Sequence, residues 1–340
     1  MQTSTRTISY PWFFSLLLLG LSAVHSTALA QMPVGGFTTP KHSLTMAQPE
    51  QQALYYHQVM PPKGKGASDQ DTTVLLLGGG PGFSSWNLEP IQKQIAQMGW
   101  PTLLMDMVGI GENDHWQPNP VITTWIQQIH QVLRHATASS DSVVLVGHSW
   151  GALMAMLYQR AHPERIVKVI LLNPVDPGKQ AMQNLTAEID QRNRQEQKKP
   201  WDDDAAWEQK TQVGMDEVEA ITLKQITQVL PTYFMDYQKG QAYAKQFSVD
   251  DFDIDLNIQA WKEYDQNPIR YHDLQQAASD YYFLECKQDY LMPYNLNAMQ
   301  PNMTFQSLDL MDQCGHFPWI EQPAAFYQHL ENYLSESQGS

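Results

Sequence analysis

A serine, an aspartate and a histidine stand along this chain where nucleophilic acyl transfer could use them. Ser149 is the centre of Gly147-His148-Ser149-Trp150-Gly151, which directly follows the apolar run Ser142–Val146 and precedes a helical stretch. A G-x-S-x-G element between a strand and a helix makes a turn so sharp that its central side chain is pushed out from the sheet. The motif alone recurs by chance in roughly one chain in ten of this length, so its context carries the reading. A serine nucleophile needs a base, and the base needs an orienting carboxylate. In strand–turn–helix sites of this kind the order along the chain is Ser, acid, His. Asp289, in Cys286-Lys287-Gln288-Asp289, and His316, in Cys314-Gly315-His316-Phe317-Pro318, follow Ser149 in that order. Asp176 is a rival acid. His148 is expected to point away from the exposed face of the serine, and His162 to end a helix in a structural role.

The reaction also needs donors for a tetrahedral oxyanion. One is the backbone N–H of Trp150, immediately after the nucleophile, and the other should come from the loop after the first parallel strand. That loop reads Gly78-Gly79-Gly80-Pro81-Gly82. No Gly-Lys-Ser/Thr follows it and its spacing is wrong for G-x-G-x-x-G, so a phosphate-binding loop is disfavoured.

These residues need strands and helices to position them. From Thr72 to Pro174 short apolar runs alternate with amphipathic segments. Strands are expected at Thr73–Leu77, Thr102–Met105, Val143–Val146 and Ile166–Leu172, with helices at Ile91–Met98, Val121–His135 and Ala152–Ala161 between them. Such alternation indicates parallel strands with crossover helices. Ser43–Ala47 and Ala53–Met60 read as an antiparallel pair ahead of them. Strand character returns at Tyr281–Leu284 and Thr304–Leu308, and a last helix is expected over Gln322–Leu334. In a parallel sheet all strand C-terminal ends share one edge, so Ser149, Asp289 and His316 should converge there. Residues 177–270 are rich in Gln, Asp, Glu and Trp and read as a helical insertion.

The chain has 340 residues and a formal charge of −15. That acidity, without a basic stripe, argues against nucleic-acid binding. Arg6, the apolar stretch Trp12–Val24 and Ala28-Leu29-Ala30 form a signal-peptide pattern over residues 1–30, so an exported protein, periplasmic or secreted, is expected. No other run approaches the roughly 20 apolar residues of a membrane span, so no stable membrane insertion is expected after signal removal. The two cysteines, Cys286 and Cys314, are too few for a thiolate metal site. In an oxidising compartment they invite a disulfide. If their strands are neighbours, it would tie the Asp289 loop to the His316 loop.

Taken together, the Gly-Gly-Pro-Gly loop, Gly147–Gly151, Asp289 ahead of a proline and Gly315-His316 resemble the α/β-hydrolase fold. The proline iminopeptidase branch, the serine aminopeptidases of family S33, is the most similar. The resemblance spans the mature chain and implies a mostly parallel sheet flanked by helices. Residues 31–176 and 271–340 would form the core and 177–270 a helical cap. It implies Gly80 and Trp150 as the oxyanion-hole amides. It also implies a cap glutamate that holds the substrate ammonium; Trp207-Glu208 is similar to the branch's W-E pair, with Glu217 and Glu219 as substitutes. Trp201 and Trp207 would line the pocket or pack in the core. Three departures bear on proline specificity. Gly78 stands where the branch has His, Asp106–Asn113 lacks the arginine and serine of D-Q-R-G-x-G-x-S, and Cys286 replaces the glycine of the acid loop.

The expectation is an exported serine hydrolase acting through an acyl-enzyme on Ser149, with no metal or organic cofactor. An aminopeptidase on short peptides leads. A carboxylesterase or lactonase with the same triad is the alternative, and a non-catalytic binding module on the same fold is the remote one.

Overall fold

The computed structural model describes residues 35–45, 53–64, 71–175, 179–196, 217–271, 274 and 279–336. The leader over 1–30, Asp176, Trp201, Trp207 and Glu208 lie outside the described residues, as do the side chains of Glu217 and Glu219.

Among the described residues eight strands form one sheet: β1 (Lys41–Thr45), β2 (Ala53–Val59), β3 (Thr72–Leu77), β4 (Thr102–Leu104), β5 (Ser142–His148), β6 (Ile166–Leu172), β7 (Asp280–Cys286) and β8 (Ser307–Met311). Their order is β1-β2-β4-β3-β5-β6-β7-β8. β1 and β2 are antiparallel, as expected, and β2 joins β4 antiparallel. From β4 to β8 every pairing is parallel. The chain steps from β3 outward to β4, then returns past β3 to lay β5 on its other side. The strand order therefore reverses around β3, and such a reversal opens a crevice beyond the strand C-termini.

The helices in chain order are α1 (Glu89–Met98), α2 (Val121–Ala136), α3 (Trp150–Ala161), α4 (Lys179–Glu196), α5 (Glu217–Val229), α6 (Tyr237–Ala244), α7 (Ile254–Gln266), α8 (Met292–Met299), α9 (Pro318–Glu321) and α10 (Pro323–Ser335). The continuous apolar runs of β3, β5 and β6 are explained by burial on both faces, with side chains alternating between them. Leu75, Leu77, Val143, Leu145, Val169 and Leu171 pack with Trp125 and Ile129 of α2 and Leu153 of α3. Their neighbours Val74, Leu76, Val144, Val146, Ile170 and Leu172 pack on the other side with Ile91 and Ile95 of α1 and Phe326 and Leu330 of α10. Between β6 and β7 the described residues carry helices α4 to α7 and no strand, in keeping with the helical texture of that stretch.

One strand is displaced from its expected place. Residues 304–308 read as a strand, but β8 spans Ser307–Met311 and Gln306 is where its bonding to β7 begins, through the Tyr281 carbonyl at 2.8 Å. β8 is the sheet edge and is only partly buried. Its Ser-Leu-Asp-Leu alternation is weaker than the run of apolar residues that marks a strand covered on both faces.

Candidate active site

Ser149 directly follows β5, with φ 55° and ψ −120°, outside the helical and extended basins. The surroundings hold it in that conformation. Its N–H donates to the Leu172 carbonyl of the neighbouring strand at 3.0 Å, and its own carbonyl accepts from Ala152 N–H at 3.0 Å. The flanking glycines are needed for close approach rather than flexibility. A Cβ on Gly151 would fall on the Leu77 carbonyl oxygen and 2.5 Å from that of Gly78, and one on Gly147 would lie 2.5 Å from Ala152 Cα. The turn is thus wedged between the ends of β3 and β6.

Asp289 and His316 meet on loops after β7 and β8. His316 Nδ1 lies 2.7 Å from Asp289 Oδ2 in a buried pair. With Nδ1 committed to the carboxylate, Nε2 is the nitrogen left for proton exchange, and His316 and Ser149 line the same cavity. Asp289 is fixed from three sides. Oδ2 also accepts from Asn173 Nδ2 at 2.8 Å, and Oδ1 from Leu291 N–H at 3.0 Å. Asn173, fully buried and at φ 39°, gives its second amide hydrogen to the Gly315 carbonyl at 3.3 Å, so one side chain spans both loops. Asn173 was not among the residues expected at the site. Asparagine tolerates this left-handed backbone better than most residues do.

The disulfide joins the same loops. Cys286 and Cys314 are bonded, with their Cα atoms 5.3 Å apart. Their strands β7 and β8 are neighbours, which was the condition for the bridge.

His148 differs from expectation. Its ring does not turn away from the serine's surroundings; it lines the cavity and sits under His316, with ring centroids 4.6 Å apart. Nε2 donates to the His316 carbonyl at 2.9 Å. Burial, with the nearby His316 as a lesser cause, holds its pKa well below the ordinary 6.5, so it is neutral and serves as a prop for the histidine loop. His162 caps α3 and stacks on His130 at 4.2 Å, away from the site.

Gly80, at φ 134°, and Gly79 line the cavity opposite Ser149. Trp150 is the first residue of α3, so its N–H lacks an intrahelical acceptor and is open to a ligand. Its indole packs edge-on to Trp261 of α7 at 4.6 Å. The unusual Gly78 has a local reason: a Cβ there would meet Ser85 Oγ and lie 2.9 Å from Ser85 Cβ. Ser85 in turn is held by Asp106, whose Oδ1 accepts from Ser85 N–H at 2.6 Å and Ser84 Oγ at 2.9 Å, while Oδ2 accepts from Glu112 N–H at 3.0 Å. Burial pushes the Asp106 carboxyl up to about 6 against these donors. Without the arginine of the branch, the 106–113 loop is fastened by Gln128 and Trp125. Gln128 binds Val108 N–H and the Asp106 carbonyl, each at 2.8 Å, and the Trp125 indole donates to the Val108 carbonyl at 2.9 Å.

The cavity has a volume of about 140 Å³ and lies between these loops and the helices that follow β6. Phe83, Ile226, Val229, Leu230, Phe247 and Phe317 give it an apolar wall, and among the described residues lining it there is no carboxylate.

Residues 72–323 match the family model described as the alpha/beta hydrolase fold. The chain belongs to the α/β-hydrolase fold family. Within it, a proline iminopeptidase from Lactobacillus delbrueckii subsp. bulgaricus is 24% identical over 283 residues, covering 79% of this chain and 92% of the relative. Among solved α/β-hydrolase structures, an esterase from Exiguobacterium antarcticum superposes with a TM-score of 0.59 at 19% identity, over 84% of this chain and 96% of that one. A proline iminopeptidase from Mycobacterium smegmatis superposes with a TM-score of 0.53 at 16% identity, over 86% and 97%. At these identities the superpositions speak for the fold alone.

Proposed function

We propose that this chain is a serine hydrolase that cleaves small, apolar acyl groups from short substrates, most nearly as an aminopeptidase does. The observation that carries the reading is His316, paired with Asp289 at 2.7 Å and lining the same small apolar cavity as Ser149. Ser149 Oγ attacks the acyl carbon while His316 Nε2 takes its proton. Asp289 keeps the imidazolium oriented, and the N–H groups of Trp150 and Gly80 receive the oxyanion. His316 then protonates the leaving group, and water releases the acyl-enzyme by the reverse sequence.

The size of the cavity supports a small residue at the scissile bond. A cavity of about 150 Å³ takes one benzene ring, so 140 Å³ suits a pyrrolidine ring or a short side chain. The similarity to proline iminopeptidases favours an amino-terminal substrate. In that case Glu208 holds the ammonium group. A carboxylesterase or lactonase is the second reading, favoured by the absence of a carboxylate among the described lining residues.

A panel of aminoacyl arylamides and short acyl esters tests the choice. The aminopeptidase reading expects arylamide cleavage that weakens in Glu208→Gln; activity on esters alone, with that variant neutral, selects the esterase. A serine-directed fluorophosphonate should label the wild type and not Ser149→Ala. Absence of labelling in folded protein would remove the hydrolase reading altogether.

The leader pattern over 1–30 and the Cys286–Cys314 disulfide support an exported protein, since such bonds persist in oxidising compartments. Amino-terminal sequencing of the mature protein should begin near Gln31; a full-length cytoplasmic product would contradict export.

A further inference from the structure

A second, larger cavity of about 620 Å³ lies outside the first. It runs between the segment at Gly35, the start of α1, helix α6 and the turn at Trp319. The two cavities have two lining residues in common, Asn87 and Tyr243. Asn87 Nδ2 donates to the Tyr243 hydroxyl at 2.9 Å, so the two residues that border both cavities are tied to each other. Tyr243 is held by the rings of Phe317 at 4.8 Å, Phe234 at 5.3 Å and Phe247 at 5.3 Å. Asn87 stands on a three-residue turn of 3-10 helix and is only half-buried. It is the more easily displaced half of the wall.

The outer cavity offers an apolar floor. Trp86, Pro90, Ala242, Trp319 and Ile320 line it. Its charged members are already engaged: Glu89 accepts from Thr38 N–H and Thr39 N–H, each at 2.6 Å, and from Lys93 Nζ at 2.8 Å. The Lys239 ammonium reaches the Glu321 carbonyl at 3.5 Å. An occupant that continues from the inner cavity therefore meets an apolar floor beside a Glu89 carboxylate whose acceptor positions are taken.

We propose that Asn87 and Tyr243 set the acyl length this protein accepts, and that the outer cavity is a dormant extension of the acyl site for the distal part of a longer apolar chain. This rests on Ser149 being the nucleophile. With the wall closed, the inner cavity ends an acyl chain at about six carbons, the size of the benzene that a cavity of similar volume holds. Truncating Asn87 removes the donor that pins the wall and opens a path into the outer cavity.

The experiment is a p-nitrophenyl ester series from acetate to decanoate, which reads acyl length apart from any amide or ester preference. The wild type should favour short esters, and Asn87→Ala should raise decanoate over butyrate by about tenfold, a change of one pocket-sized apolar contact. Adding Ala242→Trp to that variant fills the outer cavity and should cancel the gain. Asn87→Ser replaces Asn87→Ala if the latter does not fold. An unchanged length profile in a folded Asn87 variant that the fluorophosphonate still labels overturns the proposal alone. A gain that survives Ala242→Trp overturns the outer cavity as its source. A wild type that neither hydrolyses any ester nor takes the label overturns the nucleophile assignment, and this inference with it.

Discussion

The carboxylate of Glu321 accepts the Gly315 N–H at 2.6 Å, one residue before His316. The same carboxylate binds Asp236 N–H at 2.8 Å and Met235 N–H at 3.3 Å, so one buried side chain fastens the histidine loop to the segment between α5 and α6. Three N–H groups converge on it, and each would be left without an acceptor if it went.

Glu321→Gln turns an NH₂ group toward those donors. Leaving a buried donor unpaired costs about 1–3 kcal/mol. The variant should melt at lower temperature, and its kcat should fall more than its KM rises, because the histidine loop moves and the acyl wall does not. Thermal melts with steady-state kinetics check this; an unchanged kcat would show that the loop keeps its place without Glu321.

Gly78 should tolerate a side chain only if Ser85 gives way. Gly78→Ala drives its Cβ into the Ser85 hydroxyl, and overpacking of this kind costs about 1–3 kcal/mol. Ser85→Gly leaves the nearest Ser85 atom at 3.2 Å, and the backbone N–H that binds Asp106 is retained. The double variant should recover most of the loss. Denaturant unfolding of the four proteins measures the coupling, and simple additivity would contradict a direct clash.

Asp106 makes stability depend on pH in a defined direction. Its carboxyl is raised from 3.8 to about 6, with burial the first cause. A folded acid with a raised pKa binds its proton more tightly than the unfolded chain does. Its contribution is therefore complete below about pH 4, declines between about 4 and 6, and is flat above. The span is about 3 kcal/mol for a shift of this size. Asp106→Asn should remove that slope; the difference in unfolding free energy between wild type and variant, followed from pH 4 to 7, measures it. A difference that grows in the opposite direction would contradict the assignment.

Reduction should weaken the site along with the fold. Cys286 and Cys314 are 28 residues apart in sequence, and closing such a loop contributes about 3.5 kcal/mol in the chain-entropy account. The bridge links the loops that carry Asp289 and His316, so reduced protein should unfold at lower denaturant and turn over more slowly. Unfolding curves and initial rates with and without reductant give the answer. Intact mass after alkylation checks that the bond has opened.

The parts of the molecule that repeat a simple pattern were legible in the sequence. β3, β5, β6 and β7 are apolar runs because both faces are covered, and Ser149, Asp289 and His316 stand at strand ends that a parallel sheet must bring to one edge. The edge strand β8 was misplaced because it is only partly buried and its sequence lacks a continuous apolar run. Asn173, Glu321 and Asp106 were not legible as parts of the site. Each makes a hydrogen bond to a group at least 21 positions away in sequence, and no periodicity announces a partner. The cavity wall was hidden for the same reason: Asn87 and Tyr243 are 156 positions apart and acquire a meaning only when α6 comes down over the start of α1.

The amide of His316 donates to the Tyr233 carbonyl at 2.8 Å, and Tyr233 belongs to the covering segment that also lines the cavity. Access and reactivity therefore share one fastening. A swing of the cover wide enough to carry Tyr233 away would release the His316 backbone at the same moment. Traffic must instead pass by side-chain rotation, or at the far rim of the cover. On the proposed mechanism, a roof raised that far would leave Ser149 in bulk water without His316 held beside it.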